Sequence, residues 1–232
     1  MSTQFSVSNE VNSQLTWIQT RDGSPTLWSN TLGESYRSTR GAWTESWECF
    51  VSPALKSAGG QESKLVEFGL GAGTNWVIWR CAEHKLGLPP SRYQAVERDP
   101  SIFLIGKKMW QARALELDTF FNEVLGEKLR GIHPEILESF EEPIVHGSLN
   151  ELSDASAELW FHDPFGFDVN PDGYSQQTLL DASRVWARGV RGYSYACNRH
   201  FVRGLEQLGC QVNVCSTVHP LLKRERLEFY RP

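Results

Sequence analysis

The chain has 232 residues, 40% of them apolar and 22% charged, which excludes a disordered or collagen-like polymer and suits one well-buried domain, or one with an appendage. No apolar run approaches the ~20 residues of a bilayer span, so no membrane partner is expected. The net charge of −5, from 23 basic and 28 acidic residues, at first sight discourages a nucleic-acid partner.

The opening stretch MSTQFSVSNE lacks the basic and apolar regions of a secretory signal. Residues 14–20 and 26–29 read as two short strands around an Asp22-Gly23 turn. Residues 41–57 read as a helix with Trp43, Trp47 and Phe50 on one face. From Lys64 the pattern alternates: strand 65–68, helix 74–85, strand 93–97, helix 100–116, an acidic helical stretch 118–140, and strands 144–146 and 158–162. A loop 163–174, helix 176–188, strand 190–197, helix 199–208 and strands 211–216 and 226–230 complete the chain. Strands alternating with helices predict a mostly parallel sheet covered on both faces, and the last two strands predict an antiparallel hairpin at its edge. Ligands in such sheets sit beyond the carboxyl ends of the strands. The expected division is an appendage over 1–60 and a sheet domain over 61–232, with a helical insertion at about 100–142.

The loop Glu67-Phe68-Gly69-Leu70-Gly71-Ala72-Gly73-Thr74-Asn75 follows a strand and opens a helix. Glycines there permit a tight turn and close approach of a ligand. A dinucleotide site needs G-x-G-x-x-G/A, and Thr74 stands where the last of these belongs, so a nicotinamide oxidoreductase is disfavoured. The alternative is motif I of S-adenosyl-L-methionine-dependent methyltransferases, whose cofactor has no pyrophosphate and tolerates the carboxylate of Glu67. Glu97 ends the next strand, where an acid accepts both ribose hydroxyls.

The charge is uneven. Residues 61–158 carry 10 basic and 16 acidic residues, whereas 159–232 carry 9 and 7. Arg184, Arg188, Arg191, Arg199 and Arg203 fall in a stretch, 182–205, without an acid. It reads either as a solvated face or as a phosphate-contacting patch on an otherwise acidic chain. The five cysteines, Cys49, Cys81, Cys197, Cys210 and Cys215, have no C-x-x-C spacing, which fits the reducing cytoplasm and argues against a thiolate metal site. The six histidines show no metal spacing.

Taken in order, the chain resembles the methyltransferase family that completes 5-methylaminomethyl-2-thiouridine at the tRNA wobble position. The pieces are Asp22-Gly23-Ser24-Pro25 with Gly33-Glu34-Ser35-Tyr36 and Gly41 to Glu45, the glycine loop, Leu159-Trp160-Phe161-His162-Asp163, Asn170-Pro171-Asp172, Phe201-Val202-Arg203-Gly204-Leu205 and Lys223-Arg224-Glu225. The resemblance implies an α/β, Rossmann-like class I methyltransferase with a seven-stranded sheet. It implies S-adenosyl-L-methionine as cofactor, held by Glu67, Gly69, Gly71, Gly73, Asn75 and Glu97, with Ser148 at the position of the family's adenine-contacting acid. Asp163 matches the acid beside the acceptor amine. The FAD-dependent oxidase half of the family's bifunctional form is not expected in this chain, so a separate oxidase would be the partner. Asp163-Pro164-Phe165-Gly166-Phe167 departs from the family's D-G-F-A-P, and Val169 replaces its lysine; both changes fall where the acceptor binds.

Asp163-Pro164-Phe165 also partly resembles the D-P-P-[YF] loop of exocyclic-amine methyltransferases, in which an acid and a carbonyl grip an amine. Asp163 is thus the expected catalytic residue, positioning the amine and stabilising its developing charge. Tyr36 and Phe165 are expected at the acceptor base, with Tyr36 and the nearby Trp28, Trp43 and Trp47 read as a lid or as core, and Arg199 and Arg203 at RNA phosphates. His162, adjacent on the strand, points to the opposite face and packs. A tRNA N-methyltransferase, a methyltransferase of a small-molecule or protein amine, and a non-catalytic cofactor-binding protein remain open.

Overall fold

In the computed structural model, which describes residues 10–12, 14–126, 129–217, 219–222 and 225–232, the first two predicted strands belong to a four-stranded sheet. Its strands β1 (Glu10–Asn12), β2 (Leu15–Gln19), β3 (Pro25–Ser29) and β4 (Glu34–Ser35) lie in sequence order and pair antiparallel. β1 and β4 were not expected, because two or three residues carry no alternation to read. The opening stretch up to residue 9 and the pair Lys223-Arg224 lie outside the described residues.

The D-G-S-P turn has a purpose beyond reversing the chain. Asp22 accepts bonds from Thr20 Oγ1 (2.6 Å), Ser24 N (3.0 Å) and Ser24 Oγ, and from Thr44 N (3.1 Å) and Thr44 Oγ1 (2.7 Å). Ser24 Oγ in turn accepts Ala42 N and Trp43 N at 3.0 and 3.2 Å. Helix α1 (Ala42–Ser46) has Gly41 at its N-cap and no cap of its own, so Asp22 and Ser24 satisfy its orphan amides from a distance. Burial opposes the charge on Asp22, but these donors hold its carboxyl below the usual range. α1 passes through a π turn (Trp47–Val51) into α2 (Ser52–Ala58), making one continuous helix of the predicted span.

β5 (Lys64–Phe68), α3 (Thr74–Leu86) and β6 (Arg92–Val96) follow as expected. The predicted helix 100–116 divides into α4 (Ser101–Gln111) and α5 (Ala114–Leu125). Arg113 leaves helical geometry at φ −118°, which lets Trp110 of α4 and Leu117 and Phe121 of α5 all reach the core. Gly126, left-handed at φ 69°, ends α5, and Pro134 opens the separate α6 (Pro134–Ser139), so 118–140 is not one helix. β7 (Ile144–His146) and β8 (Ala157–His162) complete the parallel centre. α7 (Gln176–Val185) stops earlier than expected and β9 (Trp186–Ser194) begins earlier. The cause is an irregularity in the β8–β9 ladder, where Ala157 faces Trp186 but Leu159 faces Arg191, with Gly189 between at φ 82°. α8 (Arg199–Gln207), β10 (Gln211–Ser216) and β11 (Glu225–Tyr230) end the chain.

The main sheet has the order β10-β11-β9-β8-β5-β6-β7, with β11 antiparallel to both neighbours and the β9-to-β7 pairs parallel. The order reverses between β5 and β8, so the crevice for a ligand opens there. The described part of the first 60 residues shares one core with this sheet: Leu15, Leu27, Trp43, Trp47 and Phe50 cluster with Trp76, Trp79, Trp110, Phe121 and Phe161. Trp43 and Trp47 pack on Phe120 and Phe121, so they are core rather than a lid. Among the described residues no helix is long and apolar enough to cross a membrane.

From Leu159 on, β8 alternates its side chains between the two faces. Leu159 and Phe161 join that core, while Trp160 and His162 enter the layer on the other face. His162 is fully buried, stacked on Phe201 at 4.3 Å and Phe68 at 5.3 Å. Burial drives its pKa down from 6.5 to about 3. The folded state therefore keeps the ring neutral while the unfolded chain protonates it. Stability from this group is complete above pH 6.5 and is lost as the pH falls toward 3, by about 2 kcal/mol at pH 5. His162→Phe is expected to lose less stability than the parent between pH 7 and pH 5; paired urea titrations at those values read the difference.

Candidate active site

The glycine loop leaves β5 and turns back into α3 with Gly69, Gly71 and Gly73 all at positive φ. Two of these glycines answer specific neighbours. A Cβ on Gly69 would lie 2.6 Å from the carbonyl oxygen of Asp163, and one on Gly71 would lie 2.9 Å from the Tyr36 ring. The loop is thus pressed between the end of β8 and the bend after β4 that carries Tyr36. α4 supports it from behind: Trp110 Nε1 donates to Ala72 O at 2.9 Å.

The loop's glycine amides are occupied internally. Gly69 N donates to Val96 O (3.0 Å), Gly73 N to Leu70 O (2.9 Å), and Gly71 N to Glu97 Oε2 (2.8 Å). Those three amides are therefore not available to cradle a phosphate. Glu97 Oε1 also accepts Asp99 N at 3.0 Å, which fixes the carboxylate at the mouth of β6 with lone pairs to spare.

A cavity of about 360 Å³ lies over this end of the sheet. Gly69, Gly71, Glu97, Tyr36, Asp163 and Phe165 all line it, so six of the predicted residues meet there. Tyr36 and Phe165 pack edge to face at 4.8 Å and form one wall. Burial, with Glu97 and Asp99 adding to it, pushes the Tyr36 hydroxyl up to about 12.

Three predicted cofactor residues lie behind the cavity instead. Gly73 caps α3 against Phe103. Asn75 and Glu67 are fully buried. Glu67 accepts Asn75 Nδ2 and the Tyr93 hydroxyl, both at 2.7 Å, and lies 3.6 Å from the Arg37 guanidinium. It belongs to the supporting layer because β5 turns its side chain into the core. Ser148 is also off the cavity; its Oγ donates to Glu151 at 3.2 Å, and Gly147 lines the cavity in its place.

The residue missed by sequence reasoning is Arg37. It reaches from the bend after β4 to an ion pair with Asp163, both side chains 4% exposed, and its guanidinium lies 5.4 Å over the Phe50 ring. Asn75 Nδ2 donates to the same Asp163 oxygen, Oδ2, at 3.0 Å, and Oδ1 takes part in neither contact. Burial pushes the Asp163 and Glu67 carboxyls up, and Arg37 pulls both back. Burial alone would weaken the Arg37 charge, but Asp163, Glu67 and Glu45 raise its pKa on balance. The only sequence signal was the position of Arg37 directly after Tyr36.

The Pro164 carbonyl does not play the part its D-P-P-like surroundings imply. It accepts the Tyr195 hydroxyl at 2.7 Å and the Tyr174 hydroxyl at 3.3 Å, so both lone pairs are engaged and an acceptor amine has only the carboxylate to meet. Asn170, beside it, caps the turn Pro171–Tyr174 by accepting Gly173 N. The arginine stretch is divided. Arg184 is bound to the carbonyls of Leu149 and Leu152 and to Asp154, whereas Arg199 and Arg203 stand exposed one turn apart on α8. A second cavity, of about 580 Å³, adjoins the start of α8 and is lined by Glu34, Phe167, Asp168, Tyr195, Asn198 and Glu225, among others.

Residues 145–230 match the model of a family described as S-adenosyl-L-methionine-dependent methyltransferase. Among solved structures the chain is similar to MNMC2 from Aquifex aeolicus, at 20% identity over 97% of this chain and 73% of that one, with a TM-score of 0.68. Looser likenesses are to magnesium protoporphyrin IX methyltransferase of Synechocystis PCC 6803 with bound SAM (12% identity, 78% and 76% covered, TM-score 0.43) and to TYW2 of P. horikoshii in complex with MeSAdo (10%, 94% and 72%, 0.46). No curated protein matches the chain in sequence. The strand order and the family match agree: residues 145–230 match a family of S-adenosyl-L-methionine-dependent methyltransferases, and the chain as a whole shares its fold with MNMC2.

Proposed function

We propose that the chain methylates an amine nitrogen, and that the amine is the aminomethyl group of a tRNA wobble uridine. The observation that carries the nitrogen acceptor is the state of Asp163: it lines the cavity at the carboxyl end of β8, held through Oδ2 alone. Bound S-adenosyl-L-methionine supplies an electrophilic methyl on a sulfonium. Glu97 meets the ribose hydroxyls, and the Gly69–Gly71 backbone leaves room for the cofactor. Asp163 Oδ1 accepts an N–H of the amine and aims the lone pair in line with the methyl. The nitrogen gains the methyl and gives up a proton, and the raised proton affinity of this buried carboxyl suits it to hold that proton. Tyr36 and Phe165 offer an aromatic wall for the base that carries the amine.

Support for tRNA comes from the motifs that resemble the wobble-uridine family and from the exposed Arg199 and Arg203 on α8. Arg199→Glu with Arg203→Glu is expected to reduce methylation of aminomethyl-bearing tRNA by at least about tenfold and to flatten the salt dependence of tRNA binding by about two contacts. Affinity for S-adenosyl-L-methionine should stay unchanged by calorimetry. Full tRNA activity in that double variant would remove the patch from the reading. A second reading, a small cationic amine, is favoured by the second cavity, where Glu34, Asp168 and Glu225 present carboxylates that attract an ammonium group and repel phosphate. Mass spectrometry of wobble-uridine nucleosides from a deletion strain separates the two: unchanged 5-methylaminomethyl content favours the small amine.

A further inference from the structure

We infer that Arg37 binds the carboxylate at the amino-acid end of S-adenosyl-L-methionine through Nη1 while Nη2 keeps Asp163 in place. The inference rests on the cofactor reading above and adds to it the residue that receives the cofactor's one anionic group.

Three observations lead there. Arg37 lines the cavity, and its Nη1 is a buried donor with no hydrogen-bond partner among the described residues. Both ion-pair contacts of the guanidinium, to Asp163 and Glu67, are made by Nη2. A buried guanidinium nitrogen left unpaired carries a desolvation cost, which an anion at that place would remove. The usual alternative acceptor site is closed, because the amides of Gly69, Gly71 and Gly73 are spent within the protein.

The position agrees as well. Glu97 marks the ribose at the end of β6, and Asp163 marks the reacting methyl at the end of β8. The amino-acid end of the cofactor extends beyond the methyl, away from the ribose. Only two cations line the cavity among the described residues: Arg98, exposed beside Glu97 at the ribose end, and Arg37, buried beside Asp163. The chemistry at the two nitrogens of Arg37 is then complementary. One side holds a carboxylate of the protein and the other a carboxylate of the ligand, in the fork geometry that guanidinium provides and ammonium does not.

Calorimetry with S-adenosyl-L-methionine and with decarboxylated S-adenosyl-L-methionine, which lacks only the carboxylate, tests this on the unaltered chain. The expected result is that the decarboxylated form binds about 10- to 100-fold more weakly. Equal affinities would overturn the assignment, while failure of both to bind would instead refute the cofactor reading. In Arg37→Gln the discrimination should collapse through loss of affinity for the carboxylated form alone, and Arg37→Lys should restore part of it. A variant that weakens both ligands equally would make Arg37 structural only. Should Arg37→Gln fail to fold, the comparison on the unaltered chain still decides.

Discussion

Asp163→Asn is expected to lower methyl transfer to aminomethyl-bearing tRNA by about 10²- to 10⁴-fold, while affinity for S-adenosyl-L-methionine stays within a few-fold. The asparagine keeps the size of the carboxyl and can still accept from Arg37. It loses the charge that stabilises the developing ammonium and the basicity that takes its proton. The protein should remain folded, because Arg37 stays compensated by Glu67 at 3.6 Å, so no isolated cation is left in the core. Single-turnover assays and calorimetry on the same preparation separate the two effects. Loss of cofactor affinity in parallel with rate would make Asp163 a cofactor ligand and remove it from the chemistry.

Gly69→Ala should be the most damaging single-atom addition in the loop. The residue sits at φ 95°, and the new methyl would lie 2.6 Å from the Asp163 carbonyl oxygen, 2.8 Å from its carbon and 2.9 Å from Pro164 N. All three are backbone atoms that cannot rotate away, so relief requires either the loop or Asp163 to move. Backbone strain and overpacking together cost about 2–5 kcal/mol, and cofactor affinity should fall by at least about tenfold because the cavity wall is displaced. Gly126→Ala is the control: it shares a positive φ of 69° but meets nothing within 4 Å, so only the conformational cost of about 1 kcal/mol applies. Thermal unfolding of the two variants, with calorimetry on each, reads both effects. Equal losses would show that approach to Asp163 is not what the glycine serves.

The parts legible in the sequence were those written in local patterns. Alternating strand and helix periods gave the sheet, the glycine spacing marked the turn out of β5, and the interval to Glu97 placed an acid at the end of β6. What escaped were contacts between distant segments. Nothing near Arg37 says that it crosses to Asp163, and nothing near Pro164 says that two tyrosines beyond residue 170 will occupy its carbonyl. Glu67 carries the motif's acid but lies on the core side of β5, where strand register rather than motif membership decides which way a side chain points. The tryptophans left lid and core open for the same reason: their helical spacing marked an apolar face correctly, but which surface that face covers is set by α4 and α5, far along the chain. Asp22 was visible as a turn residue and proved also to be the cap of a helix twenty residues on.

The ion pair between Arg37 and Asp163 also orders events in time. A chain emerging from the ribosome presents the guanidinium more than a hundred residues before its partner exists. Until β8 is synthesised, Glu45 and Glu67 are the acids that act on the cation, without the carboxylate that pairs with it directly. Burying the guanidinium early carries a desolvation penalty that the ion pair with the later strand offsets most. Closure of this long loop, with its entropic cost, is what brings Arg37 and Asp163 together. A chain stalled before residue 163 thus holds its glycine loop without the acid proposed to meet the amine, and β9, β10 and β11 are still to be made after it.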